Sequence, residues 1–279
     1  MSLEMEVRPV SPAIGAEIKG IDLSQMGDEA FSAVKQAFAD NGVLFFRNQT
    51  LSPDQHIALA ERFGDIVVNR FFTPTETHPQ IAEVRKEPHH KRNIGSRWHT
   101  DHSYDEAPAL GSILVARELP QTGGDTLFAG VAAAYDALSD GLKSVLLSLK
   151  AWHSSRHSFG YRAEIDWKDN EGRLQNPDVA VQDALHPVVI THPLSGRKCL
   201  YVNPEFTTHF DGWTAEESKP LLEFLYAHIA RPEFTCRFRW EDGSVAIWDN
   251  RATQHCALND YTGHRRLMHR VTIAGVPLS

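Results

Sequence analysis

Residues 245–273 read VAIWDNRATQHCALNDYTGHRRLMHRVTI and contain two apolar runs, 245–249 and 266–273, that predict β-strands. Alternate side chains of a strand share a face, so Arg266, Met268 and Arg270 are expected on one face. A guanidinium that faces a protein core is costly unless it has a partner. The two arginines therefore either reach a rim and pair with carboxylates or hold anionic ligands.

A second stretch, WHTDHSY at 98–104, places His99 two residues before Asp101. Residues i and i+2 of an extended chain point the same way, so this pair can bind one metal ion. The same spacing recurs at 209–211, so spacing alone does not decide between them. With His255, the first pair gives two histidines and one carboxylate, the ligand set of non-haem Fe(II) oxygenases.

Short apolar runs separated by turn residues recur along the chain and favour a mainly β sandwich or barrel. Besides the two runs above, they occupy 42–46, 81–84, 111–116, 186–192, 199–203 and 234–240.

Helices decorate these strands without alternating strictly with them. Capping boxes at Ser52 and Thr214 predict two helix starts, and the helical pattern of 131–150 is expected to break near 139–141. We predict a single domain over 1–279. The polar segments 85–97 and 155–183 are expected to be lids or insertions.

Composition limits the function. The net charge of -8 argues against a nucleic-acid partner, although the basic stretch 85–97 is either a solvated loop or a cover that attracts anions. No apolar run is long enough to cross a membrane, and the first ten residues resemble no targeting signal. Three cysteines without paired spacing indicate reduced thiols and a cytoplasmic protein.

Several motifs occur together in a recognisable order: WHTD, ELPQTGGDTLF, HPVVITHPLSGRKCLYVN, AIWDNRATQH and HRRLMHRVTI. Their order and spacing resemble the taurine dioxygenase/2,4-dichlorophenoxyacetate dioxygenase (TauD/TfdA) family from GAEIKGIDLS near the start to the last strand. The resemblance implies a double-stranded β-helix, the cupin-like jelly roll. It also implies an Fe(II)-dependent dioxygenase that takes O₂ and 2-oxoglutarate as co-substrates and releases succinate while hydroxylating its substrate.

The resemblance also implies residue roles. His99, Asp101 and His255 match the iron ligands, which makes them the expected catalytic centre. Arg266 matches the arginine that binds the distal carboxylate of 2-oxoglutarate, a task suited to a planar fork, and Thr126 matches the hydroxyl that assists it. The family pattern assigns no metal role to residues 209–211.

Arg270 matches the position that meets an anionic substrate head group, and Phe159 and Phe206 match pocket positions, with ordinary core packing as their alternative. Taurine dioxygenases carry a histidine and a tyrosine that help hold taurine, and the corresponding stretch here, with Asn69, Arg70 and Phe71, has no matching histidine, which argues against taurine itself. Alkyl sulfates, sulfonates and aryloxy or other carboxylic acids stay open as the small organic anion.

Two neighbouring residues invite further readings. Arg70 is either a second anion contact or a solvated charge. His102 is expected to hydrogen-bond the substrate or the groups around the metal.

Two other classes of protein compete with this interpretation. One is a non-catalytic cupin-like or zinc-binding module that uses His89, His90, His99 and His102; the other applies the same iron chemistry to a larger, non-anionic substrate. We further expect a homo-oligomer, a dimer or tetramer.

Overall fold

The computed structural model describes residues 5–161, 163 and 167–279. Four residues of the predicted segment 155–183, at 162 and 164–166, thus lie outside the described residues. The strands are Glu6–Pro9 (β1), Ala16–Lys19 (β2), Val43–Phe46 (β3), Ile66–Val67 (β4), Ala82–Lys86 (β5), Gly111–Glu118 (β6), Thr126–Gly130 (β7), Lys150–Ser154 (β8), Asp183–Pro187 (β9), Val189–Thr191 (β10), Lys198–Leu200 (β11), Thr207–Phe210 (β12), Thr235–Phe238 (β13), Val245–Asp249 (β14), Thr253–Ala257 (β15) and Arg266–Ile273 (β16). The helices are Asp28–Asn41 (α1), Pro53–Glu61 (α2), Val131–Asp136 (α3), Asp140–Leu146 (α4), Arg156–Phe159 (α5) and Ala215–Ile229 (α6).

The strands form one large sheet that faces smaller ones. The large sheet has the order β1-β2-β3-β14-β6-β16-β4, with β5 also paired to β16. A three-stranded sheet, β13-β7-β15, packs against it through Phe128, and the remaining strands form the sheet β12-β8-β9 and the hairpin β10-β11. The mainly β architecture with peripheral helices agrees with the prediction.

Strand β3 shows why both faces of the large sheet are buried. All four of its residues are fully buried, and they alternate between two clusters. Val43 and Phe45 pack toward the smaller sheet with Phe128 and Trp248. Leu44 and Phe46 pack in the cluster that includes residues of α1 and α2. Because β3 lies between two apolar layers, its sequence is a continuous apolar run.

Strand β16 keeps the alternation that its sequence predicts. Arg266, Met268 and Arg270 are buried, while Leu267 and His269 are only partly so. Met268 belongs to the cluster between the two sheets, so the arginines on its face also point into the space between them.

Local signals set the helix ends. The capping boxes at Ser52 and Thr214 are both formed, so the predicted starts of α2 and α6 are confirmed. Helix α3 ends at Asp136 and α4 begins after Ser139, which accepts a hydrogen bond from the Leu142 backbone N–H. Helix α1 lacks this signal because its N-cap residue is a glycine, and no prediction covered it.

One strand prediction needs correction. The run 186–192 is divided between β9 and β10, which pair with different strands. His255 comes after the predicted strand β14 and lies inside a further strand, β15, which pairs with β7.

A buried ionic network fixes the turn between β14 and β15. Arg251 donates two hydrogen bonds to the Asp249 carboxylate, at 2.6 and 2.9 Å, and His192 Nε2 lies 3.0 Å from the same carboxylate. Burial opposes the charge of Asp249, but the hydrogen bonds from Arg251 and His192 outweigh it and hold the pKa of Asp249 below its ordinary value. His192, which follows β10, therefore helps to fix the turn that leads into His255.

Removing this carboxylate should destabilise the fold. We expect Asp249→Ala to lower the free energy of unfolding by about 3–5 kcal/mol, because Arg251 stays buried without a counter-ion. Urea unfolding followed by circular dichroism measures the change. Asp136→Ala is the control: its pair with Arg197 is exposed on both sides and is worth about 1 kcal/mol or less. Equal losses in the two variants would contradict a structural role for the network.

Candidate metal centre and active site

The centre is built where the segment before residue 100 meets β15. His99 and His255 form an isolated antiparallel bridge and exchange two backbone hydrogen bonds, of 3.0 and 2.9 Å. Directly opposed residues of an antiparallel pair project to the same side, and the two imidazole rings lie 4.0 Å apart. The backbone pairing therefore brings together two histidines that are 156 positions apart in sequence.

Asp101 completes the cluster from a turn, not from a strand. The extended chain ends at Thr100, and the residues from Asp101 onward form a turn, so the simple i, i+2 argument does not describe the actual backbone. His99 Nε2 nevertheless lies 3.8 Å from one oxygen of Asp101, and His255 Nε2 lies 4.0 Å from the other. One ligand atom from each of the three residues falls within 4.8 Å of the other two.

The protonation states suit a cation. Burial and the neighbouring His99 and Arg270 hold the pKa of His255 well below its ordinary value, so its imidazole is neutral and has a free lone pair. Burial alone would raise the pKa of Asp101, but Arg270 and the adjacent histidines lower it below the ordinary carboxyl range. His99 Nδ1 lies 2.8 Å from the Arg97 carbonyl, which accepts its N–H and leaves Nε2 for a metal.

Three residues beside this cluster form a pocket for a carboxylate. Arg266 is buried, and its Nε and Nη2 atoms have no hydrogen-bond partner in the described chain. Thr126 lines the same cavity, and Gly124 approaches Arg266 so closely that an added Cβ would lie 3.1 Å from Arg266 Cδ. A buried guanidinium with unused N–H groups is stabilised when an anion binds to it, so these residues fit a carboxylate of 2-oxoglutarate.

Arg270 lies on the other side of the metal cluster. Its Nη1 is 3.2 Å from Asp101, its guanidinium stacks 4.5 Å from the centre of the Phe72 ring, and its Nε has no partner in the described residues. It faces the cavity, as expected for a residue that meets a substrate anion.

Arg70 takes a different place from the two that its sequence suggested. It makes a two-pronged ion pair with Asp105, at 2.7 and 2.8 Å, and does not line the cavity. Asp105 also lies 3.1 Å from His102 Nδ1, while Asn69 Nδ2 lies 3.2 Å from His102 Nε2. Because both ring nitrogens of His102 have protein partners, the geometry favours His102 as a fixed wall of the cavity that Arg70 supports from behind.

The metal cluster, Arg266 with Thr126, and Arg270 open into one cavity of about 490 Å³, a size common for small-molecule sites. Phe159 and Phe206 both line it, the first stacked on Phe71 with ring centres 4.4 Å apart. Both predicted lid segments contribute, 85–97 through residues such as Ile94 and 155–183 through Leu174. Trp248 also lines the cavity, whereas Trp98, the residue before His99, packs against a separate apolar cluster.

Other candidates stay apart from this centre. The rings of His89 and His90 contact each other at a tilt of 52°, but within the described part of the chain the only three-residue group suited to a metal is the one above. Within the described residues, the alternative of a zinc-binding module that uses His89 and His90 therefore has no separate group of metal ligands.

Sequence reasoning missed two residues of the cavity wall, Asn69 and Tyr104. Tyr104 lines the cavity and packs edge-on against Phe206, with ring centres 4.9 Å apart. Tyr104 and Asn69 lie within or near motifs that were already identified, but nothing in their residue type separates them from core residues.

Known proteins resemble this chain in sequence and in structure. Residues 6–272 match the family described as "Taurine catabolism dioxygenase TauD, TfdA family". The alpha-ketoglutarate-dependent sulfate ester dioxygenase of Pseudomonas putida is 36% identical over 277 residues, covering 98% of this chain and 91% of that relative. A taurine dioxygenase from Burkholderia xenovorans has a similar structure, with a TM-score of 0.82, 34% identity and coverage of 97% and 91%. The structure of AAD-2 in complex with Mn(II) and N-oxalylglycine gives a TM-score of 0.81 at 28% identity, covering 99% of this chain and 98% of that one.

The jelly roll and the site together define a 2-oxoglutarate-dependent dioxygenase, an oxidoreductase that requires Fe(II), 2-oxoglutarate and O₂. The chain belongs to the TauD/TfdA family. The predicted family, fold and class of enzyme are confirmed.

The described residues contain no helix long and apolar enough to cross a membrane.

The contact between Gly95 and His99 yields a test of the metal centre. Gly95 has a φ of +81°, and a Cβ added there would lie 3.1 Å from His99 Cε1. We expect Gly95→Ala to displace the imidazole and weaken Mn(II) binding about tenfold or more, as disturbing the support of a metal ligand commonly does. Isothermal titration calorimetry measures the affinity. Gly263→Ala is the matched control, since its φ is also +81° but nothing lies within 4 Å of the added Cβ. The same loss in both variants would show that backbone strain, not the contact with His99, is responsible.

Proposed function

We propose that this enzyme hydroxylates a small organic anion with an apolar body, and that a sulfate ester or sulfonate is its preferred head group. The observation that carries the proposal is the position of Arg270. It is a buried guanidinium with an unused N–H, and it lies between a metal-binding carboxylate and the apolar part of the same cavity. The related sulfate ester dioxygenase of Pseudomonas putida supports this choice of head group.

We assign the residue roles as follows. His99, Asp101 and His255 hold the iron, Arg266 and Thr126 hold the distal carboxylate of 2-oxoglutarate, and Arg270 holds the substrate anion. Bound iron supplies the oxidative decarboxylation of 2-oxoglutarate to succinate and CO₂ that is coupled to hydroxylation of the substrate. If the hydroxylated carbon bears the sulfate oxygen, the product collapses to an aldehyde and releases sulfate.

The chain's own residues determine which carbon is presented. Arg270 lies within 3.2 Å of Asp101, so a head group bound to its free N–H places the adjoining carbon near the metal ligands. Phe159, Phe206 and Tyr104 then enclose the rest of the molecule in an apolar wall that keeps water away. An alkyl or aryl body gains from this burial, whereas the ammonium group of taurine would lose its hydration there.

We further propose that residues 1–279 form one domain whose segments 85–97 and 155–183 act as lids, since both contribute to the cavity wall. Assembly into a dimer or tetramer and a cytoplasmic location stay predictions.

The substrate proposal is tested by measuring succinate release with Fe(II), ascorbate, O₂ and 2-oxoglutarate across alkyl sulfates, alkyl sulfonates, aryloxyalkanoates and taurine. We expect alkyl sulfates or sulfonates to stimulate turnover most. Stimulation by aryloxyalkanoates alone would contradict the proposed head group and show that the enzyme prefers a carboxylate. Slow, unstimulated succinate release with every compound would favour the alternative of a larger, non-anionic substrate.

Arg270→Gln should raise the KM for the anionic substrate about 10- to 100-fold, because a hydrogen bond to a charged group contributes about 1.5–3 kcal/mol. The KM for 2-oxoglutarate is measured alongside and should change far less, and the affinity for Mn(II) is measured to report any effect through the neighbouring Asp101. Arg265→Gln serves as the control, because it removes the same charge from a residue that pairs with Glu87 and Glu118 outside the cavity. An unchanged substrate KM in Arg270→Gln would remove Arg270 from the head-group site.

A further inference from the structure

Trp240 lies against the proposed 2-oxoglutarate pocket and has no role in the assignment above. It follows β13, is only 6% exposed and packs edge-on against Phe238, with ring centres 4.8 Å apart. Its indole Nε1 donates a hydrogen bond of 3.0 Å to Thr126 Oγ1. The guanidinium carbon of Arg266 lies 5.7 Å from the centre of its ring.

The chemistry of the two groups fixes the direction of this hydrogen bond. An indole N–H can only donate, so the Thr126 hydroxyl must be the acceptor. A hydroxyl that accepts in this way still has one hydrogen to donate. Within the described chain no protein acceptor receives a hydrogen bond from Thr126 Oγ1, and Thr126 borders the cavity. Its hydrogen is therefore free for a ligand.

Arg266 also has hydrogen-bond donors that lack a partner in the described residues. Two of its nitrogens have no partner in the described residues, although the side chain is buried. A carboxylate oxygen accepts several hydrogen bonds, so one carboxylate can satisfy the guanidinium and the Thr126 hydroxyl together. This arrangement works only if the hydroxyl hydrogen points toward the ligand. The indole favours that direction, because its N–H excludes a hydrogen of Thr126 from the space between them.

We propose that Trp240 is a positioning residue for 2-oxoglutarate: its indole N–H orients the Thr126 hydroxyl toward the distal carboxylate, and its ring supports Arg266. This inference rests on the proposed roles of Thr126 and Arg266. Trp240 acts through these two neighbours and needs no contact with the co-substrate.

The test is a double-mutant cycle on 2-oxoglutarate affinity. The Kd is measured by calorimetry on Mn(II)-loaded protein without oxygen or primary substrate, so that binding is observed independently of turnover. We expect Trp240→Phe, which keeps an aromatic ring and removes the N–H, to weaken 2-oxoglutarate binding about three- to tenfold while Mn(II) affinity is unchanged. Thr126→Val should weaken it at least as much.

The coupling between the two sites decides the proposal. With Val at 126 there is no hydroxyl to orient, so adding Trp240→Phe should cause little further loss of affinity. With Ser at 126 the hydroxyl is retained, and the sensitivity to Trp240→Phe should remain. Trp152→Phe is the matched control: Trp152 also donates an indole hydrogen bond of 3.0 Å, to Asp211, but outside the cavity. It should leave the Kd unchanged.

Each contrary result has a distinct meaning. A Kd for Trp240→Phe equal to that of the wild type, or fully additive losses in the double variant, would overturn the positioning role. A wild-type protein that binds Mn(II) but not 2-oxoglutarate would overturn the proposed roles of Thr126 and Arg266, and this inference with them. If near-ultraviolet circular dichroism shows that Trp240→Phe is misfolded, 3-benzothienylalanine at 240 replaces only the N–H with sulfur, and the same cycle applies.

Discussion

Two backbone hydrogen bonds between His99 and His255 set the relative positions of the two imidazoles in the candidate metal centre. They join a loop to a strand of the smaller sheet, and through that register they place two imidazoles side by side above the space between the sheets. Neither imidazole would meet the other if the pairing slipped by one residue, because a one-residue slip turns a side chain to the opposite face. The turn from Asp249 to Thr253 protects this register, since its buried ionic network defines where β15 begins.

Charge balance explains why the centre can lie so deep. Asp101 is buried, with only 6% of its surface exposed, but Arg270 lies beside it and a metal ion would bring further positive charge. Among the described residues, Nε and Nη2 of Arg266 have no hydrogen-bond partner, and a carboxylate ligand would supply one. The site is thus electrostatically incomplete on the Arg266 side, which is where a dianionic co-substrate would bind. Arg70 illustrates the opposite case, since Asp105 already neutralises it and no ligand is needed.

Sequence patterns predicted the features that depend on residues close together in the chain. Capping boxes at Ser52 and Thr214 fixed helix starts because the hydrogen bonds involved span only three residues. Alternation in β16 placed Arg266 and Arg270 on one face for a similar local reason. Partners far away in the chain escaped prediction: Asp105 for Arg70, Asn69 for His102 and Trp240 for Thr126. These contacts join separate segments and leave no periodic pattern in the sequence, whereas the contact of His102 with Asp105 lies within one turn.

The sequence by itself determined the class of the protein, because the motif that carries His99 and Asp101, the later His255 and the arginines of the last strand identify the family and its chemistry without a fold. The tertiary structure decided which charged side chains are available to a ligand. Availability depends on distances between elements far apart in sequence. Asp105 lies close enough to pair with Arg70, whereas two nitrogens of Arg266 have no partner among the described residues. The same geometry sets the direction of the Thr126 hydroxyl, since only the packing of Trp240 against β7 makes that oxygen an acceptor.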